Sequence, residues 1–219
     1  WEPKFMNVQM SDLSKIPAGF GDETQSSQSI FRAALNAFSY PGKLIELKHD
    51  ANPPVGADPI TSVLLLALLD SESSLWLSHS LKKTLVSSWL QFHTDCLITE
   101  DMAKADFVWI KNLDELPQLI QHQTGTDQYP DRSATCIIEV ESLTQKSENG
   151  AFLLQGPGIK DKSDLEIKGW SKQECVRWNE FWNSNNDLFP CGVDVFLSDG
   201  KALVGLPRTT ALSFLPREV

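Results

Sequence analysis

Near its C-terminus the chain reads Leu206-Pro207-Arg208-Thr209-Thr210, one guanidinium beside two hydroxyls. A planar fork of N–H donors suits the oxygens of a phosphate or a phosphonate. The same residues have a plainer use, in which Arg208 pairs with a nearby Asp while Thr209 and Thr210 close a turn. Gly156-Pro157-Gly158-Ile159 is a second candidate, since a glycine-bracketed turn after a strand can cradle phosphate oxygens with its N–H groups. It has the spacing of neither G-x-G-x-x-G nor the P-loop, so a simple tight turn competes with that reading. His93 is the histidine best placed for chemistry, at the end of a helical stretch, where it can also serve as a cap or a core residue. His49, His79, His93 and His122 are scattered, as are Cys96, Cys136, Cys175 and Cys191. They match no zinc spacing, and no metal site is expected.

Periodicity supplies the elements that would hold these groups. Val193, Val195 and Leu197 alternate with Asp194, Phe196 and Ser198, the period of a strand, and residues 201–206 form a second run. Asp199-Gly200 between them predicts a hairpin with a type I′ turn, which needs positive φ at both central residues. Pro207 cannot donate to a ladder and should end the second strand, leaving Arg208 just beyond the sheet edge. Upstream, Phe31, Ala34, Leu35 and Phe38 follow the i, i+3, i+4, i+7 rule. They predict an amphipathic helix over 25–38, ended by Ser39-Tyr40-Pro41-Gly42. A short strand is expected over 43–48 and a loop over 51–56. Asp58-Pro59 then opens a helix that is apolar nearly all round over 60–69, hence buried between layers.

Leu75-Trp76-Leu77 reads as a brief strand. Leu81, Leu85, Trp89 and Leu90 line one face of a helix running into Phe92-His93-Thr94. Buried strands are expected over 105–110 and 133–140, with Asp114 capping a short helix over 115–122 and a loop over 125–132. After a strand over 151–155, Ser171 and Glu174 form an S-x-x-E capping box. The helix it opens carries Cys175, Trp178 and Trp182 on one face, as core or interface. Strands and helices alternate without repeats, which points to an α/β or α+β three-layer domain.

Length and charge exclude several classes. The 219 residues suffice for one domain with a real core, and the formal charge is −10. Nucleic-acid binding needs a basic face, and an anionic membrane repels such a balance. Four scattered thiols fit a reducing cytoplasm. The densest apolar run, 63–69, is too short to cross a bilayer, and no signal peptide is recognised. The opening Trp1-Glu2-Pro3 suggests an appended or trimmed start, with Met6 or Met10 as native beginnings. Residues 1–18 are read as an N-terminal extension and 19–219 as a single domain.

Several stretches, taken in order, resemble one family. They are Phe31-Arg32-Ala33-Ala34-Leu35 running on to Pro41-Gly42, Thr61-Ser62-Val63-Leu64-Leu65-Leu66 with Leu69-Asp70, and Leu75-Trp76-Leu77. Phe92-His93-Thr94, Ser133-Ala134-Thr135 and Gly156-Pro157-Gly158-Ile159 follow. Phe189-Pro190-x-Gly192-Val193-Asp194 and Leu206-Pro207-Arg208-Thr209-Thr210 complete the set. Each is short, but in this order they resemble the PhnH subunit of the bacterial carbon–phosphorus lyase system. The resemblance implies a three-layer αβα domain with a mixed sheet, similar to the large domain of pyridoxal-phosphate-dependent transferases but without that cofactor. It implies a homodimer that joins PhnG, PhnI and PhnJ subunits in a core complex. The implied machinery transfers an alkylphosphonate to the ribose of ATP with release of adenine, giving ribose 1-methylphosphonate 5-triphosphate. PhnJ later breaks the carbon–phosphorus bond at a radical iron–sulfur site. The part implied for this subunit is supportive, with catalytic residues on its partners.

Lys104, Lys111, Lys160 and Lys168 sit in polar stretches or at strand edges, without the company a Schiff-base lysine needs. No pyridoxal phosphate is therefore expected. Trp170, Trp178 and Trp182 read as an aromatic surface reserve that favours a homodimer. The net charge repels a free dianion, so a carboxylate on a partner subunit is the favoured object of Arg208. A self-contained transferase and a free-standing phosphonate- or nucleotide-binding protein are the competing readings.

Overall fold

The computed structural model describes residues 16–145 and 150–216; Met6, Met10 and all but the end of the expected N-terminal extension lie outside them. The first helix, α1 (Glu23–Ser39), starts earlier than its apolar pattern because the Asp22 side chain accepts from the Gln25 N–H. Its buried face is Ile30, Ala34 and Ala37, whereas Phe31 and Leu35, expected inside, are about half exposed. The reason is a close backbone approach. A Cβ on Gly205 would lie 2.6 Å from the Ala37 carbonyl carbon, so the small residues must face the sheet there.

Strand β1 (Ile45–Glu46) is shorter than expected. Helix α2 (Pro59–Leu68) is capped by Asp58, which accepts from Thr61 N at 2.6 Å, and Ile60 through Leu65 are buried all round. After β2 (Ser74–Leu77) the single helix expected over 81–94 is two, α3 (His79–Lys82) and α4 (Val86–Thr94). The Thr84 hydroxyl breaks it, donating to Leu81 O at 2.7 Å and accepting from Val86 N at 3.3 Å, and Leu85 at the break is half exposed.

Strands β3 (Leu97–Ile98), β4 (Phe107–Ile110) and β5 (Thr135–Glu139) follow. The helix expected over 115–122 is replaced by two single 3₁₀ turns, Leu113–Glu115 and Leu119–Gln121, because Pro117 between them has no N–H to donate. Strands β6 (Ser142–Thr144), β7 (Gly150–Gln155) and β8 (Ser163–Lys168) come next. Helix α5 (Lys172–Asp187) opens on the expected capping box, Ser171 with Glu174.

The hairpin of β9 (Asp194–Ser198) and β10 (Ala202–Leu206) forms as expected, but its turn differs. Ser198 pairs with Leu203, which makes Gly200-Lys201 the central pair, and only Gly200 has positive φ, +79°. That is the sign pattern of a type II′ turn, which takes Gly first. Pro207 ends the strand, and β11 (Ala211–Pro216) leaves for another sheet.

Seven strands form a mixed sheet in the order β1-β10-β9-β5-β4-β2-β3. Strands β9, β5, β4, β2 and β3 are parallel neighbours, and β10 is antiparallel to both β9 and β1. Residues alternate between its faces. Leu75, Leu77, Trp109, Ile137, Phe196 and Leu203 pack under α1, α2 and α4. Val108, Ile110, Cys136, Ile138, Val195 and Leu197 face α5 and a second, antiparallel sheet of order β11-β7-β8-β6. One outer layer is thus helical and the other combines a helix with a sheet, a correction to the simple αβα expectation. Trp178 and Trp182 are wholly buried in that second core, so they are not the surface reserve their spacing suggested.

Candidate functional site

Arg208 lies where the chain passes from one sheet to the other, at the amino ends of the parallel strands. Its Nε and Nη2 donate to Asp194 Oδ1 and Oδ2 at 3.2 and 2.5 Å. Nη1 reaches Pro130 O at 2.9 Å and Pro190 O at 3.4 Å, and Nη2 also reaches the Ser133 hydroxyl. All five donors of the fork are engaged within the chain. The Arg208 N–H also donates to Asp194, at 2.8 Å. Arg208 and Asp194 side chains are 12% and 25% exposed. The Asp pairing weighed as the plainer alternative is therefore the geometry present.

The threonines close the turn: Thr210 N donates to Pro207 O at 2.8 Å, and Thr210 is buried while Thr209 is exposed. Helix α5 ties the turn down, with Trp182 Nε1 on Thr210 O at 2.7 Å and Asn186 Nδ2 on Arg208 O at 2.6 Å. Gly156 joins this cluster. A Cβ there would sit 2.9 Å from Thr209 O, and its φ is +138°. Gly158, at φ +83°, backs instead on the end of α1, where a Cβ would lie 2.3 Å from Ser39 O. The glycines thus allow close packing of backbone on backbone.

His93 is elsewhere, on the helical face. Its Nε2 and the Trp89 indole both donate to Pro17 O, at 3.0 and 2.9 Å, fastening the segment before α1. The structure thus brings Arg208, Thr209, Thr210 and Gly156 together and leaves His93 and Gly158 apart from them.

The topology marks a different place. From β2 the chain moves outward to β3, then returns across β2 to β4 and on to β5, so the winding reverses between β2 and β4. Open α/β sheets bind ligands in the crevice at the carboxyl ends of the strands at such a reversal. A recess of about 510 Å³ opens there, lined by Ser80 after β2, Lys111 to Glu115 after β4, and Glu139 to Glu141 at the end of β5. Gly169, Trp170 and Glu174 close it from the second layer.

Its charge is mostly negative. Glu139 accepts from the Trp109 indole at 2.9 Å; burial, then the neighbouring Asp58, push its carboxyl up to about 7, against the pull of Lys111. Burial also acts to raise Glu115, but hydrogen bonds from Ser78 and Ser80 outweigh it and hold that carboxyl below the ordinary range. Ser80 donates to Glu115 Oε1 from both its N–H and its hydroxyl, at 3.0 and 2.9 Å. Lys111 Nζ donates to Gly56 O at 2.5 Å. A recess with Asp114, Glu115, Glu139, Glu141 and Glu174 around one lysine suits donors and cations, and it repels phosphate. It does not fit pyridoxal phosphate, which needs a phosphate cup beside its lysine.

Sequence reading missed this recess, although the signal existed. Lys111 and Glu139 each follow a dense apolar run, Val108-Trp109-Ile110 and Ile137-Ile138, which puts a charged residue at a strand's carboxyl end. Among the described residues no group of three or more His, Cys, Asp or Glu could hold a metal, and no helix is long and apolar enough to cross a membrane.

Sheet order and recess define an open, mostly parallel α/β protein with an acidic switch-point crevice. Residues 18–213 match the family described as bacterial phosphonate metabolism protein (PhnH), and the chain belongs to that family. It is 34% identical over 205 residues to the alpha-D-ribose 1-methylphosphonate 5-triphosphate synthase subunit PhnH of Rhizobium meliloti (strain 1021), covering 93% of this chain and 98% of that one. It is 29% identical over 199 residues to HtxG of Stutzerimonas stutzeri, a provisionally assigned C-P lyase subunit, covering 85% of each chain.

Proposed function

We propose that this chain is a supporting subunit of the carbon–phosphorus lyase machinery, acting in the step that joins an alkylphosphonate to the ribose of ATP with release of adenine. The observation that carries this reading is the family match over residues 18–213, together with a relative named as a synthase subunit that is aligned over 98% of its length. In this reading the chain is a cytoplasmic homodimer that docks on PhnG, PhnI and PhnJ, uses no pyridoxal phosphate, and leaves the chemistry to its partners. The free thiols Cys96, Cys136 and Cys175, all buried, support a reducing compartment. Support for docking comes from large apolar side chains left in water: Phe31 and Leu35 on α1, Phe92 on α4, Ile120 in the 3₁₀ turn Leu119–Gln121, and Phe189 in the turn after α5. Arg208 shapes the docking face by holding the 130–133 and 190 segments rather than by meeting substrate.

Reconstitution tests this. Partner subunits should form ribose 1-methylphosphonate 5-triphosphate from ATP and methylphosphonate only when this chain is added, and the chain alone should form none. Turnover by the isolated chain would instead make it a self-contained transferase.

A further inference from the structure

The anion chemistry expected at Arg208 is used internally, and the switch-point crevice is acidic, so cations without partners are the informative residues. Two of them face one recess. Arg32 on α1 and Lys48 after β1 have no ion-pair or hydrogen-bond partner among the described residues, and both line a recess of about 560 Å³. The α1 wall is polar along a single stripe: Gln25, Gln28, Ser29 and Arg32 follow helical spacing, on the side of the helix away from Ile30, Ala34 and Ala37. The opposite wall is Lys48, His49 and Asp50.

Asp50 brings one negative charge to this lining, its carboxylate accepting from the Gly21 N–H at 3.0 Å and the Ser26 hydroxyl at 3.3 Å, so the two cations outnumber a single carboxylate. Those bonds also fix the wall against the start of α1. His49 is turned by its Nδ1, which lies 3.1 Å from Ala51 O. In a chain of formal charge −10, two cations facing a concave surface with hydroxyl and amide donors form a local reversal of sign.

We propose that this recess binds a tetrahedral oxyanion, a phosphate or phosphonate group, with Arg32 and Lys48 supplying the charge and Ser29 and Gln28 the neutral donors. A guanidinium takes two oxygens at once and an ammonium takes a third as a point charge, so together they match a group with three free oxygens. The protein's summed field opposes the approach of any anion, so binding is weak, and salt screens both that repulsion and the local attraction of Arg32 and Lys48. The site is distinct from the Arg208 cluster and from the crevice, and it belongs to the isolated chain.

The test is calorimetric titration of the full chain with inorganic phosphate, methylphosphonate and tripolyphosphate at low and at physiological salt. Saturable binding is expected, weakened about tenfold by Arg32→Ala or by Lys48→Ala and retained by Lys201→Ala, an exposed lysine on the hairpin turn. Arg32→Lys should recover only part of the loss. Equal affinity for the three ligands assigns the site to a single free oxyanion. Tighter tripolyphosphate assigns it to the phosphate tail of a larger molecule. Both walls are at the surface, so the variants should melt like wild type, and the melts check this. Unsaturable binding, or the same affinity in Arg32→Ala and Lys48→Ala, would overturn the proposal. Because no partner is present, either result leaves the subunit reading untouched.

Discussion

Arg208 and Asp194 show what a charged pair does when nearly everything it can bond lies in its own chain. Removing the guanidinium strands the Asp194 carboxylate and the Pro130 carbonyl at a half-closed site. Breaking such a pair costs about 3 kcal/mol or more. Arg208→Ala should therefore lower the unfolding free energy measured in urea by that amount, and Arg208→Lys should recover little, since one ammonium cannot replace the fork. An alanine variant of unchanged stability would show that the pair does not hold the sheet crossing. That Arg208 could pair with a nearby Asp was legible, but which Asp was not. The expected Asp199-Gly200 turn would set Asp194 opposite Gly205, whereas the turn centred on Gly200-Lys201 carries it one step past the Leu206–Val195 pair, beside Arg208. Glu139 was not legible, because its raised carboxyl depends on Asp58 and Trp109, which only the folded chain brings to it. Its folded value near 7 lies above the ordinary 4.5, so its contribution is complete below about 4.5 and is lost as pH rises through 7. The loss is on the order of 2–3 kcal/mol. Urea unfolding between pH 5 and 8 should show stability falling, and Glu139→Gln should flatten the fall; equal slopes would mean the carboxyl is not perturbed.

The elements repeat this division between local and long-range information. Caps were readable because they are local: Asp58 before α2 and Ser171 with Glu174 before α5 are formed as expected. Ser171→Ala should cost about 1 kcal/mol in thermal or urea unfolding. The hairpin, α1 and strands β2, β4 and β5 were readable from their apolar period. The four-stranded sheet was not: β6, β8 and β11 are short or carry charged and hydroxyl residues, and their buried faces appear only against Trp178 and Trp182. The orientation of α1 was also hidden, because Phe31 and Leu35 outweigh Ala34 and Ala37 in any hydrophobic count. Gly205 decides it. A methyl group there meets the Ala37 carbonyl at 2.7 Å and Phe38 N at 2.8 Å. Gly205→Ala should push α1 off β10 and cost about 2 kcal/mol or more. Near-wild-type stability would mean the helix can slide to make room.

At the scale of the whole molecule, shape and charge favour association over independent catalysis. The crevice where α/β proteins take small ligands is acidic, and Arg208 is committed to its own chain. Large apolar side chains lie instead on the outer face of α1, on α4 and on two turns. With Trp178 and Trp182 in the core, a homodimer must draw on these residues, and light scattering at micromolar concentration should show twice the 24.5 kDa chain mass. Phe31→Ser with Leu35→Ser should lower that mass if α1 forms the contact. Family membership was legible from ordered short motifs, but the docking surface was not, because exposure is a property of the fold. The most direct measurement is the mass of the species that co-purifies with this chain when it is expressed with PhnG, PhnI and PhnJ. The expected result is one stoichiometric assembly that contains all four and survives gel filtration. The chain eluting alone, at its own mass, with the other three assembled without it, would contradict the assignment as a subunit.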